Sequence, residues 1–264
     1  MTVTVQRQGP VTLVTLDRPE CRNAVDPATA SRLYEAFVDF ERDPDATVAV
    51  LHGAGGHFSA GFDLKAMSDD ATEWLRQTHF GQGRDDPPIG PMGPTRLALR
   101  KPVIAAVAGA AVAGGMELAL WCDYRIMESS AYMGVYCRRW GVPLIDGGTV
   151  RLPRIVGLGR ARELVLTGRR VDAGEALRIG LCEHVVDEGE ALPTALAQAA
   201  DIARFPQHCL RADRHCVDAQ QGRSLEDALR HEFKWSVPVI RTEGLKGAAR
   251  FTAGSGRHGR FDES

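Results

Sequence analysis

The stretch KPVIAAVAGAAVAGGMELALWCDYRI, Lys101 to Ile126, changes character three times. Pro102 to Val107 is a short apolar run without alternation, the pattern of a strand buried on both faces. A glycine turn follows, and Gly114 to Trp121 then reads as a helix. Tyr124 to Met127 gives a further short strand. Buried strands alternating with helices predict an α/β fold with largely parallel pairing.

The flanking sequence extends that pattern. Val3 and Val5, the turn Gln8-Gly9-Pro10, and then Val11, Leu13 and Leu16 predict a β-hairpin. Asp26-Pro27 is an N-cap followed by proline in the first turn, opening a helix with Leu33, Phe37 and Phe40 on one face. Thr47 to Leu51 is another buried strand. From about 67 to 94 the clusters DD, DDPP and GPMGP predict a substrate-covering loop region with one helix near 71–79. Beyond about residue 191 strand signals stop. Helical patterns over Ala195–Arg204, Leu225–Trp235 and Val239–Phe251 predict a helical appendage ending in TAGSGRHGRFDES.

Bulk properties narrow the function. Of 264 residues, 44% are hydrophobic and 25% charged, as in an ordinary globular enzyme. A net charge of −2 supplies no global positive field for nucleic acid or anionic membrane. The six cysteines include no Cys-x-x-Cys pair, so no zinc site is expected, and they are too sparse for a disulfide scaffold. MTVTVQRQG has no apolar signal core and no apolar run reaches membrane-spanning length, so a cytoplasmic protein with reduced thiols is expected.

Two segments carry candidate chemistry. HFSAGFDLK, His57 to Lys65, reads by turn chemistry alone as a tight crossover after a strand. In the longer segment the small residues Ala113, Gly114 and Gly115 permit close approach to the backbone at a helix start, where unpaired N–H groups favour developing negative charge. Glu117 follows in the first turn. Its plain role there is to stabilise the helix end, and its alternative role is catalytic.

Together these segments resemble the crotonase superfamily, the enoyl-CoA hydratase/isomerase family. RPECRNAVD around Asn23, GVPLIDGGTVRLPRIVG from Gly141 and TGRRVDAGEALRIGLCEHVV from Thr167 resemble it too, in matching order from about Val3 to Phe251. The resemblance implies a spiral of repeated ββα units over residues 1–198, followed by a helical trimerisation region over 199–264. It also implies a trimer or a dimer of trimers. The substrate expected is an acyl-CoA thioester, with coenzyme A as part of that substrate and no further cofactor. An enoyl-CoA hydratase is the first expectation and a double-bond isomerase the alternative. A non-catalytic RNA-binding relative would call for a basic surface, against which the net charge argues.

For the site, the resemblance implies that the N–H groups of Ala60 and Gly114 form an oxyanion hole and that Glu117 is a catalytic glutamate. Phe62, Asp63, Leu64 and an aromatic at Phe251 would contact coenzyme A. The lysine usual after that aromatic is Gly254 here, leaving phosphate contacts to Lys65 or Arg257. A second glutamate usual in hydratases is replaced by Cys137, counted from the GGTVRL anchor. A thiol is a poor proton donor to carbon. Asp146 could supply the missing acid/base group or could simply cap the helix opening at Gly147-Gly148.

Overall fold

The computed structural model describes residues 1–67, 69–81, 83 and 86–255, so Arg257 lies outside the described residues. The chain forms two compact units, 1–203 and 204–264. In the first, β1 (Val3–Gln8) and β2 (Val11–Leu16) pair antiparallel. Helix α1 (Pro27–Arg42) starts where Asp26 accepts the Thr29 N–H at 2.8 Å, and it buries Leu33, Phe37 and Phe40. Its far end is closed by the buried Lys101, whose Nζ donates to the Phe40 and Asp43 carbonyls at 2.6 and 2.5 Å.

Strands β3 (Val48–Gly53), β4 (Val103–Val107), β6 (Tyr124–Glu128) and β9 (His184–Val186) extend β2 in parallel. The sheet order is β1-β2-β3-β4-β6-β9. Both faces of its centre are buried, which explains the continuous apolar runs. Leu51, Ala105 and Met127 belong to one core; Val50, Ile104 and Ile126 belong to the other. Ala191, Ala195 and Ala199 of α7 (Ala191–Arg204) join that second core, one small side chain per turn.

After β4, Gly109 at φ +47° sends the chain into β5 (Ala110–Val112), which joins β7 (Tyr132–Gly134) and β8 (Val171–Asp172) in a second sheet. A Cβ at Gly109 would stand 2.3 Å from Gly56 O and 2.4 Å from His57 Nδ1, so only glycine fits this crossing. The short helix α3 (Gly114–Trp121) leaves β5. Helices α4 (Gly148–Val156), α5 (Leu158–Thr167) and α6 (Ala173–Arg178) complete this unit, with α2 (Asp69–Gln77) in the loop region.

The second unit holds α8 (Gln207–Ala219), which the sequence reading passes over, then α9 (Leu225–Val239). A π-helical turn over Ile240–Gly244 leads into α10 (Leu245–Thr252). Among the described residues no helix is long and apolar enough to cross a membrane.

Candidate active site

Two backbone turns build the floor of a cavity of about 230 Å³. The first is Ser59-Ala60-Gly61-Phe62. Asn23, fully buried, holds it from behind: its side-chain nitrogen donates to the Ala54 and His57 carbonyls at 2.8 and 2.6 Å, and its oxygen accepts the Arg18 N–H at 2.8 Å. The Ser59 hydroxyl donates to Asn23 O and accepts the Gly61 N–H. The second turn is Ala113-Gly114-Gly115, with Ala113 at φ 53° and its N–H on Gly134 O. Backbone meets backbone between them. A Cβ at Gly115 would lie 2.2 Å from Ser59 O, and one at Gly61 (φ +91°) would lie 2.8 Å from Gly114 N. Glycine is required at both places for the turns to touch.

This geometry corrects one expected donor. The Ala60 N–H is spent on Arg22 O at 2.9 Å, so it is not free to serve an incoming carbonyl. Val25 bridges Phe62 in parallel, donating to Gly61 O at 2.8 Å and accepting from the Asp63 N–H at 2.9 Å. That pattern turns the Phe62 N–H the other way, and among the described residues it has no acceptor. Gly114 is the first residue of α3, and its N–H is likewise unclaimed. Phe62 and Gly114 both line the cavity, and the contact of Gly61 with Gly114 makes their N–H groups neighbours.

Beside them stands Glu117, 3% exposed. Its Oε1 accepts N–H groups from Asp146 at 2.9 Å and Gly148 at 2.7 Å. A Cβ at Gly148 would come within 2.9 Å of that oxygen, so the glycine lets the turn close on the carboxylate. Burial first, and the nearby Asp146 charge second, push the Glu117 carboxyl up to about 7. The two N–H groups and Arg151 pull the other way without overcoming burial.

Asp146 also lines the cavity, 4% exposed. Its Oδ1 accepts the Met92 N–H at 2.9 Å and the Thr95 hydroxyl. Its Oδ2 has no hydrogen-bond partner among the described residues. Helix α4 is capped at Gly147 with no side-chain hydrogen bond, so the capping role expected as one alternative for Asp146 is not the one it plays. Burial raises its carboxyl above the usual range, opposed by Thr95, Met92 and the charges of Arg96 and Arg151. Cys137 lies in the same wall, buried, with its thiol raised by burial and then by Glu117, hence protonated at neutral pH.

The mouth is apolar. Leu64, Met67, Leu75, Trp140 and Ile145 line it and are each at least 39% exposed. Trp140 is the most exposed of them, at 70%. Of the adjoining arginines, Arg138 donates to Val165 O at 3.2 Å and Arg139 sits 4.1 Å above the Tyr136 ring. Asp63 is committed elsewhere: Oδ2 pairs with Arg18 at 3.1 Å and Oδ1 caps the Lys65 N–H. Phe251 lies on α10 in the second unit, its ring exposed.

A pair of unclaimed N–H groups beside a buried carboxylic acid, in an apolar cavity, defines a site that can stabilise an oxyanion and move a proton next to it. The chain belongs to the enoyl-CoA hydratase/isomerase family, whose model matches residues 6–253. It is 37% identical over 227 residues to a carnitinyl-CoA dehydratase of Salmonella arizonae, covering 85% of this chain and 83% of that protein. The crystal structure of an enoyl-CoA hydratase from Mycobacterium marinum is similar at a TM-score of 0.84 and 30% identity, over 96% of both chains. That of an enoyl-CoA hydratase from Mycobacterium tuberculosis reaches 0.84 at 31% identity, again over 96% of both. The mixed α/β fold of these structures, with a helical C-terminal region, is the fold found here.

Proposed function

We propose that this protein is an acyl-CoA lyase of the hydratase type, adding water across the C2–C3 bond of a 2-enoyl-CoA or removing it in reverse. The observation that carries the reading is Glu117: a carboxyl raised to about 7, at the cavity wall, beside the unclaimed N–H groups of Phe62 and Gly114. Those N–H groups receive the thioester oxygen and grow stronger as partners when it becomes an enolate oxygen. Ionised Glu117 takes a proton from water as the water oxygen bonds to C3. The C2–C3 π electrons move into the enolate, and a proton is then delivered to C2.

Asp146 is assigned that second transfer, because Cys137 occupies the neighbouring wall with a thiol too weak in acidity for it. The Oδ1 contacts with Met92 and Thr95 leave Oδ2 to carry the proton. An enolate held by N–H groups calls for no metal or redox cofactor, and coenzyme A enters as part of the substrate. The apolar mouth suits the acyl chain and pantetheine arm. The assembly proposed is a homotrimer or a dimer of trimers.

The same Cys137 favours a second reading, double-bond isomerisation, in which a single carboxylate moves a proton between C2 and C4. Crotonyl-CoA and a 3-enoyl-CoA separate the two. A lyase bleaches the conjugated absorbance of crotonyl-CoA with formation of the 3-hydroxyacyl product; an isomerase leaves crotonyl-CoA unhydrated and generates that absorbance from the 3-enoyl thioester. Formation of neither product contradicts both.

A further inference from the structure

Among the described residues, Arg151 is the cation that faces both halves of the acid–base pair. It stands on the first turn of α4, half-buried, where its Nη1 donates to the Asp146 carbonyl at 2.8 Å and its Nη2 to the Thr95 carbonyl at 2.6 Å. Each contact fixes a different support. The Asp146-Gly147-Gly148 turn supplies the N–H groups that grip Glu117 Oε1. The Met92–Thr95 loop supplies the N–H and hydroxyl that grip Asp146 Oδ1. Gly147, at φ +94°, turns the chain tightly beside this guanidinium, whose Nη1 lies 2.1 Å from where a Cβ would stand.

We infer that Arg151 is a positioning residue for both carboxyls, its planar fork clamping the turn that holds Glu117 to the loop that holds Asp146. Lysine is a poor replacement, because a single ammonium lacks the planar fork whose two separate nitrogens reach the Asp146 and Thr95 carbonyls at once. The half-buried guanidinium also faces Glu117 and Asp146 electrostatically, along with Cys122 and Arg154. The other charged or ionisable groups at the pair are Cys137 facing Glu117 and Arg96 facing Asp146. Removing the positive charge therefore favours the protonated form of Glu117, and loosening the turn weakens the N–H grip on its anion, with the same sign.

The inference rests on Glu117 as the proton carrier of the proposed lyase, and its test reads that proton directly. Isotope-edited infrared titration of the full chain, with the Glu117 band identified by difference against Glu117→Gln, is run on wild type, Arg151→Lys and Arg151→Gln. In wild type the band is expected to half-titrate near pH 7. The expected order is Glu117 holding its proton about threefold more tightly in Arg151→Lys and about tenfold or more in Arg151→Gln. In parallel, kcat for crotonyl-CoA falls about tenfold in Arg151→Lys with KM little changed, as expected when only positioning in the transition state is lost. Should Arg151→Gln fail to fold, Arg151→Lys alone decides. A wild-type titration in either folded variant overturns the inference. Absence of turnover in wild type, with the titrations shifted as expected, overturns the lyase reading and leaves the clamp standing.

Discussion

The floor and the mouth of the cavity are built on opposite plans. At the floor, Glu117, Asp146, Phe62 and Gly114 are held by backbone groups from three separate stretches of chain, and the polar side chains are almost fully buried. At the mouth, Leu64, Met67, Leu75 and Trp140 offer half-exposed apolar side chains. Over-determined backbone geometry is what proton transfer and oxyanion stabilisation need, since both fail when atoms stray by about an ångström. Side chains that move individually suit the part that must accept an acyl group and let it go. The difference separates chemistry from selectivity, and substitutions at the two levels should alter different kinetic constants.

The largest effect is expected at Glu117. Glu117→Gln preserves an acceptor for the Asp146 and Gly148 N–H groups but cannot take a proton, so kcat should fall about 1,000-fold with acyl-CoA binding nearly intact, as steady-state kinetics and calorimetry would show. The same variant should be more stable than wild type in alkali. A folded carboxyl raised to about 7 is destabilising once ionised, a cost absent at acid pH and complete above its folded value. Chemical denaturation at pH 8.5 should show Glu117→Gln gaining up to about 3 kcal/mol, shrinking towards zero at pH 4. Equal stability at both pH values would mean that Glu117 is not strained by burial.

Asp146→Asn comes next, with kcat lower by about 100-fold if Oδ2 carries the second proton. Asparagine keeps an oxygen for Met92 and Thr95, so the thermal midpoint should move little. A near-silent effect on kcat would remove Asp146 from the chemistry and leave Glu117 to move both protons. The smallest effect belongs to the mouth. Trp140→Ala should raise KM about fivefold, equivalent to about 1 kcal/mol of apolar contact, with kcat unchanged. A fall in kcat instead would show that the mouth shapes the transition state and would erase the division drawn above.

The strands and the α3 turn were legible because their signals are local: unbroken apolar runs, an Asp-Pro helix start, and small residues where turns touch. Gly114 was legible as a helix-start N–H for the same reason, sitting in a stretch that encodes its own strand and helix, whereas local signals left Glu117 open between a helix-end charge and a catalytic group. What the sequence hid is non-local. Ala60 and Phe62 are two residues apart in one turn, and only its pairing with the distant Arg22–Val25 stretch determines which N–H is spent, Ala60 on Arg22 O. Asp146 reads as a cap because a glycine pair follows it, yet Met92 and Thr95, some fifty residues earlier, claim its carboxylate. Arg151 reads only as part of a family anchor, since its two carbonyl partners include one from that distant loop. Helix α8 lacks a long apolar stripe: among its residues only Ala212 and Cys216 are buried, leaving little periodicity to detect.

A buried Glu117 acting as base beside paired N–H donors fixes the pH dependence of kcat/KM for crotonyl-CoA hydration, which loss of the conjugated absorbance reads. Because Glu117 must be ionised and Asp146 must hold its proton, kcat/KM should climb through the acid range, bend near pH 7 and fall again on the alkaline side as Asp146 ionises, the fall being lost in Asp146→Asn. A profile already flat between pH 5 and 8 would contradict the account.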